Sequence, residues 1–290
     1  MSLAEATGRR PDKPVAYGSG TLLPCPWQSH AAVTAGLPRV TRRRTRLPEV
    51  MLLSNSFSPG HGALEHAMDA LAAFFAGTRR VLFIPYAASD PDGYAEATRE
   101  ILGRLGVQVS SAHRAASPLA ALDQADAVFV GGGNAFRLLQ AVRRSGLLAA
   151  IGRRSRAGMP YLGVSAGANL ACPTIRTTND MPIVQPASLS ALGLIPFQVN
   201  PHYPAAGPLR EARDRRLGEF LEENDVPVLG LCEGSWLHVS AARATAGGTA
   251  GGRVLTRGCA PRDVQPGDDL TALLRSRPRY DCGVSGRGLA

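Results

Sequence analysis

From Val50 onward, short apolar runs alternate with stretches whose apolar residues recur at helical spacing, the pattern of a parallel sheet with helices on both faces. The runs predict strands over Val50–Ser54, Arg80–Pro85, Gln108–Ala112, Ala127–Val130, Tyr161–Val164 and Val228–Leu231. Between them the spacing predicts helices over Gly62–Ala76, Gly93–Leu105, Pro118–Ala121, Asn134–Ser145 and Leu147–Ala157, and a charged amphipathic one over Arg210–Glu223. Residues 237–265 read as small terminal strands parted by Gly247–Gly248 and Gly251–Gly252. The expected class is α/β with a mostly parallel sheet. The organisation is a body over 48–265, an irregular C-terminal tail over 266–290 without a core pattern, and an extension over 1–47 rich in Pro, Gly, Ser, Thr and Arg, expected to be disordered. Met51 directly follows that extension, so a start assigned too far upstream is one reading of it. No internal repeat of 20–50 residues is visible.

Composition narrows this picture. With 290 residues and 44% hydrophobic content, the chain can bury a core as one large α/β domain or two small ones, which excludes wholesale disorder. The formal charge of +9 invites a nucleic-acid reading until it is located. Residues 1–47 hold Lys13 and seven Arg against Glu5 and Asp12, a net of +6, whereas residues 48–265 hold 20 basic and 18 acidic side chains, a net of +2. The excess therefore belongs mainly to the extension. No window of 18 apolar residues exists, and the apolar stretch at Leu22–Trp27 is broken by two prolines, so neither a membrane span nor a secretory core is expected. Five scattered cysteines without a CxxC pair suit neither a disulfide framework nor a zinc site, and a reducing cytoplasm is the expectation.

The sharpest chemical signal is Gly163-Val164-Ser165-Ala166-Gly167, a G-x-S-x-G run preceded by an apolar strand and followed by a helix-compatible segment. That is the context of a nucleophile elbow, in which the strained turn lifts the serine Oγ clear of the sheet. The N–H of Ala166 would then face a tetrahedral oxyanion. A serine needs a general base. His30 falls in the extension, His61 and His66 bracket the first helix, and His113 and His238 carry no motif. His202, in Val199-Asn200-Pro201-His202-Tyr203, follows an apolar run in a rigid proline-bounded loop at the end of a strand and is the favoured base. The carboxylate that would orient it is either Asp180, in Arg176-Thr177-Thr178-Asn179-Asp180-Met181-Pro182, or Glu233, at the end of a strand, and spacing does not choose between them. Val130-Gly131-Gly132-Gly133-Asn134 fails as a dinucleotide fingerprint, since the order is not GxGxxG, but Gly133 could turn its N–H toward a substrate carbonyl as a second oxyanion donor. The histidines are not spaced as ligands and no HExxH occurs, so neither metal nor cofactor is expected.

Over about residues 50–255 the sequence resembles the peptidase E family of serine peptidases, the α-aspartyl dipeptidases. The resemblance runs through Leu52-Leu53-Ser54-Asn55-Ser56, Phe83-Ile84-Pro85 and Val130-Gly131-Gly132-Gly133-Asn134, is densest over Gly163–Pro186, and continues in Asn200-Pro201-His202 and Gly230-Leu231-Cys232-Glu233-Gly234. It implies a three-layer α/β/α sandwich like that of class I glutamine amidotransferases, and hydrolysis of dipeptides with an N-terminal aspartate. It implies Ser165 as nucleophile and His202 as base; Asp180 and Glu233 each match a position to which the relay carboxylate has been assigned. It also implies a substrate pocket shaped by Arg176, Thr177 and Asn179, and Arg210 as the grip on the substrate carboxylate. At the segment where the family reads G-E-T-R-E-x-R, Pro208-Leu209 replaces Glu-Thr, which puts strict aspartyl selectivity in question. A cyanophycinase-like enzyme acting on β-aspartyl material is the nearest alternative. From another class comes a binding protein whose Arg42-Arg43-Arg44-Thr45-Arg46 run engages an anionic partner, but no aromatic platform accompanies that run and no nucleic-acid partner is expected. Oligomeric state leaves no signal.

Overall fold

The computed structural model describes residues 48–56, 62–240 and 242–283; the basic extension over 1–47 lies outside them. Eleven strands are β1 (Val50–Leu53), β2 (Arg80–Ile84), β3 (Gln108–Ser111), β4 (Ala127–Val130), β5 (Tyr161–Val164), β6 (Gln198–Tyr203), β7 (Val228–Cys232), β8 (Ser235–Ser240), β9 (Arg243–Gly248), β10 (Gly252–Leu255) and β11 (Arg262–Val264). The helices are α1 (Met68–Phe74), α2 (Pro91–Gly103), α3 (Pro118–Gln124), α4 (Ala135–Arg144), α5 (Leu147–Arg156), α6 (Ala166–Ala171) and α7 (Gly207–Glu223), with short 3-10 turns besides.

The main sheet has the order β3-β2-β4-β5-β1-β8-β9, parallel from β3 to β1 and antiparallel beyond it. β1, β4 and β5 are buried along their whole length. Such strands read as unbroken apolar runs because helices cover both faces. Val50, Leu52, Leu82, Ile84 and Val130 pack with α4, α5 and α6 on one face, while Met51, Leu53, Val81, Phe83 and Val164 pack with α1 and α2 on the other. The result is a three-layer α/β/α sandwich. Helix starts follow local chemistry: Asp90 accepts the Gly93 N–H at 3.0 Å ahead of Pro91, and Asn134 accepts those of Phe136 and Arg137 at 3.1 and 3.0 Å.

Two features depart from the pattern reading. Val228–Leu231, expected in the one sheet, belongs to a second sheet of order β11-β10-β7-β6, where β6 and β7 run parallel. β6, expected to end before His202, runs on through Pro201 to Tyr203; proline cannot donate to a ladder and is tolerated here on an edge strand. The packed body also runs past residue 265: Leu270 and Leu273 are buried in the main core, and Arg279 and Asp225 exchange backbone bonds. Two leucines on a single 3-10 turn (Thr271–Arg275) are too few to show a period. Among the described residues no helix is long and apolar enough to cross a membrane.

Leu273→Ala is expected to lower the free energy of unfolding by about 2–5 kcal/mol in a urea titration. An unchanged midpoint would place that turn outside the core.

Candidate active site

β5 delivers Ser165 and α6 starts immediately after it. Ser165 stands at φ 52°, ψ −108°, a conformation that non-glycine residues rarely hold. The turn closes because Gly163 and Gly167 lack Cβ atoms: one added at Gly167 would lie 2.2 Å from Val130 O, and one at Gly163 would lie 2.5 Å from Gly167 O. The Ser165 N–H donates to Leu53 O at 3.0 Å, tying the elbow to β1.

The Ser165 hydroxyl lies 2.8 Å from His202 Nε2, and His202 Nδ1 lies 2.9 Å from Glu233 Oε1. His202 sits in β6 rather than in a loop, at φ 53°, where the pairing of β6 with β7 shifts register between Asn200 and Tyr203. Glu233 occupies the turn between β7 and β8. Of the two competing carboxylates, geometry therefore aligns Glu233 with the imidazole. Asp180 is engaged elsewhere: its Oδ2 accepts the Ala135 N–H at 2.7 Å and the Thr178 hydroxyl at 2.9 Å, so it caps α4, where the helix dipole favours an anion. A hydroxyl, an imidazole and a carboxylate in hydrogen-bonded series can generate a serine nucleophile near neutral pH.

A cavity of about 350 Å³ opens over Ser165 and His202, walled by Thr178, Asn179 and Asp180 and bordered by Gly133. Gly133 stands at φ +128°, and a Cβ there would fall 2.3 Å from Ala87 O. Its neighbours are committed: Gly131 N–H donates to Ile84 O, Gly132 N–H to Tyr94 Oη at 3.1 Å and Asn134 N–H to Ala87 O. The Gly133 N–H has no partner among the described residues. The Ala166 N–H heads α6, where no carbonyl one turn earlier can take it. These are the two positions expected to donate to an oxyanion.

The arginines fall differently from expectation. Arg210 donates to Ala205 O at 2.8 Å, pairs with Asp263 and lies 5.9 Å above the Tyr203 ring, so its fork is occupied and it does not line the cavity. Arg176 grips Asp281 through two bonds of 2.7 and 3.0 Å, outside the cavity. Asn179 does line it. Its Nδ2 donates to Pro201 O at 2.8 Å, and its Oδ1 accepts from Asn200 Nδ2 at 2.8 Å. Thr177 is buried, its hydroxyl on Val199 O at 3.0 Å. Behind this wall lies Arg213, which shares the resembling segment with Arg210 but is not among the expected site residues. Its Nη1 donates to Asn200 Oδ1 at 2.8 Å, and burial, then the charge of Arg216, pulls its guanidinium below the ordinary value. Tyr94, 38 residues from Gly132, was also missed. It is partly buried under the glycine loop, with its phenol pushed up by desolvation and held by Ser56 at 3.2 Å. Arg213 is the last arginine of the segment resembling G-E-T-R-E-x-R, so that segment could have pointed to it, whereas no local motif marks Tyr94. Among the described residues no group of three or more His, Cys, Asp and Glu is arranged to hold a metal ion.

The chain is similar to known peptidases over most of its length. The model of peptidase family S51 matches residues 50–247. Peptidase E of Streptomyces coelicolor is 52% identical over 239 residues, covering 81% of this chain and 98% of that protein. Peptidase E of Salmonella newport is 48% identical over 206 residues, 69% of this chain and 90% of the other. The crystal structure of a peptidase from an acI-B1 actinobacterium superposes with a TM-score of 0.55 at 18% identity, covering 78% of this chain and 97% of that one, a likeness of fold alone.

Two outcomes follow from the site's construction. Gly133→Ala should depress the reactivity of Ser165 toward carbonyl substrates about a hundredfold, because the added methyl meets backbone and turns the N–H away; wild-type rates in the alanine variant would contradict this. Cys172 is fully buried and desolvation pushes its thiol up to about 12, so iodoacetamide at pH 8 should modify it only after unfolding in urea. Mass-spectrometric detection of the adduct in the native chain would refute that burial.

Proposed function

The chain belongs to peptidase family S51, and from that premise we propose that it is a serine exopeptidase hydrolysing dipeptides with an N-terminal aspartate through an acyl-enzyme on Ser165. The observation that carries this reading is the unbroken series Ser165 Oγ, His202 Nε2, His202 Nδ1, Glu233 Oε1 at 2.8 and 2.9 Å on the floor of a small polar cavity. In it, His202 takes the proton from Ser165 as Oγ attacks the scissile carbonyl. Glu233 holds Nδ1–H and stabilises the imidazolium. The N–H groups of Gly133 and Ala166 receive the oxyanion. His202 then protonates the leaving amine, and water repeats the sequence on the acyl-enzyme.

The wall of the cavity suits both charges of an aspartyl residue. Asp180 offers its second carboxylate oxygen to the substrate ammonium, having used Oδ2 on Ala135 and Thr178. For the substrate carboxylate the support is indirect. Arg213 faces no carboxylate at ion-pair distance among the described residues, and its N–H groups polarise Asn200, which polarises Asn179. In that series each amide turns its oxygen toward the arginine; the Asn200 NH2 donates to Thr177 O and Asn179, and the Asn179 NH2 gives one hydrogen to Pro201 O and has a second for the cavity. Asn179 thus presents the positive end of the chain, in the position for which Arg210 had been expected. The cytoplasm remains the expected compartment for a small-peptide hydrolase of this kind.

Ser165→Ala is expected to abolish Asp-Leu hydrolysis with the thermal midpoint unchanged; undiminished turnover would sink the nucleophile assignment. N-acetylated Asp-Leu should be refused by the wild-type chain, as the acetyl group removes the ammonium that Asp180 holds. Comparable rates on the free and blocked dipeptides, followed by chromatography of released leucine, would show instead that the cavity does not read the N-terminus.

A further inference from the structure

The C-terminal end of β1 contributes no reacting group, yet it touches every arm of the relay. Leu53 O accepts the N–H of Ser165 at 3.0 Å. The Ser54 hydroxyl accepts the N–H of His202 at 2.8 Å and donates to Leu231 O at 2.9 Å. The Ser54 N–H donates to Ser235 O at 3.0 Å, and Asn55 Oδ1 accepts the N–H of Gly234 at 2.8 Å. Glu233 is therefore bracketed: two residues before it the chain is bonded to Ser54, and one residue after it to Asn55. Ser54 is fully buried and Asn55 is 3% exposed.

The topology makes these bonds consequential. β1 and β5 lie in the main sheet, whereas β6 and β7, which bring His202 and Glu233, lie in the other. A nucleophile on one sheet and its base on another share no ladder that would fix their distance. Asn169 Nδ2 on Val199 O at 2.8 Å holds α6 to β6 three residues before His202; the Ser54 hydroxyl supplies the bond at His202 itself, and it needs one donor and one acceptor on a short side chain to do so. Because its acceptor side holds a residue at φ 53°, it also restrains the strained turn that aims the imidazole at Ser165.

We propose that Ser54 is the positioning residue that registers His202 and Glu233 against Ser165, with Asn55 holding the far side of the Glu233 turn. This rests on Ser165 being the nucleophile. Misplacement of a base by about 1 Å lowers the rate about a hundredfold without altering what the cavity binds.

The test uses diisopropyl fluorophosphate, which reads the Ser165–His202 couple without a peptide: the Oγ–P bond forms, P–F breaks, fluoride leaves and His202 takes the serine proton. Ser54→Ala should react about ten- to hundredfold more slowly than wild type, with KM for Asp-Leu changed far less than kcat. Ser155→Ala is the control. It deletes an equally buried hydroxyl on α5 that has no hydrogen-bond partner among the described residues, and it should react at the wild-type rate. A Ser54→Ala chain that reacts as fast as wild type overturns the proposal, as does a Ser155→Ala chain slowed to the same degree. Should Ser54→Ala not fold, Asn55→Ala is read in the same assay, where a tenfold loss supports the proposal and wild-type reactivity overturns it. In the unaltered chain the His202 amide should exchange with solvent as slowly as those of the core strands; rapid exchange overturns the proposal without any variant. A wild-type chain inert to the reagent defeats the nucleophile assignment itself, which separates that failure from this one.

Discussion

Both residues that meet at the reacting centre stand at positive φ, Ser165 at 52° and His202 at 53°, and each conformation is held by a bond to the end of one strand. Strained backbone of this kind costs about 1–3 kcal/mol per residue and persists only where its surroundings over-determine it. Here the surroundings are Leu53 O and the Ser54 hydroxyl, consecutive groups on a strand buried on both faces. The sandwich core, the second sheet and the relay are thus coupled through a few hydrogen bonds at the C-terminal end of β1. Sites of open α/β sheets gather beyond the carboxyl ends of strands, and β1 gives that tendency a mechanical reason in this protein.

The electrostatics of the cavity follow from where its charges are already spent. Arg210 and Arg176, the cations expected to serve the site, are neutralised by Asp263 and Asp281. Asp180 is half engaged by a helix start, and Arg213 is uncompensated but set behind two amides. An acidic dipeptide would therefore meet polarised neutral groups rather than a bare guanidinium. That arrangement gives weaker attraction and more geometric selection than an arginine fork.

Much of this was legible in the residues. The apolar runs announced β1, β2, β4 and β5 because both faces of those strands are covered, and G-x-S-x-G announced Ser165 because the elbow needs small residues at fixed offsets. His202 is marked by its proline-bounded setting at a strand end, yet the same proline concealed that the strand continues through it. The choice between Asp180 and Glu233 was closed to sequence reasoning, since both are acids in plausible turns and only the fold brings one of them to Nδ1 of His202. Arg210 was misplaced for a related reason: its partner Asp263 is 53 residues away, and no local pattern encodes a pairing at that separation. Ser54 and Asn55 were visible as part of a resembling run, but their role depends on two sheets whose separateness the pattern did not reveal.

The central claim is that Glu233, and not Asp180, orients the imidazole that activates Ser165. The most direct measurement is the second-order rate at which an organofluorophosphate labels Ser165 in Glu233→Gln and in Asp180→Asn. The account predicts a loss on the order of 10³-fold in Glu233→Gln, where the wrong tautomer is favoured, and a rate within a few-fold of wild type in Asp180→Asn. A large loss in Asp180→Asn beside a near-normal rate in Glu233→Gln would contradict it.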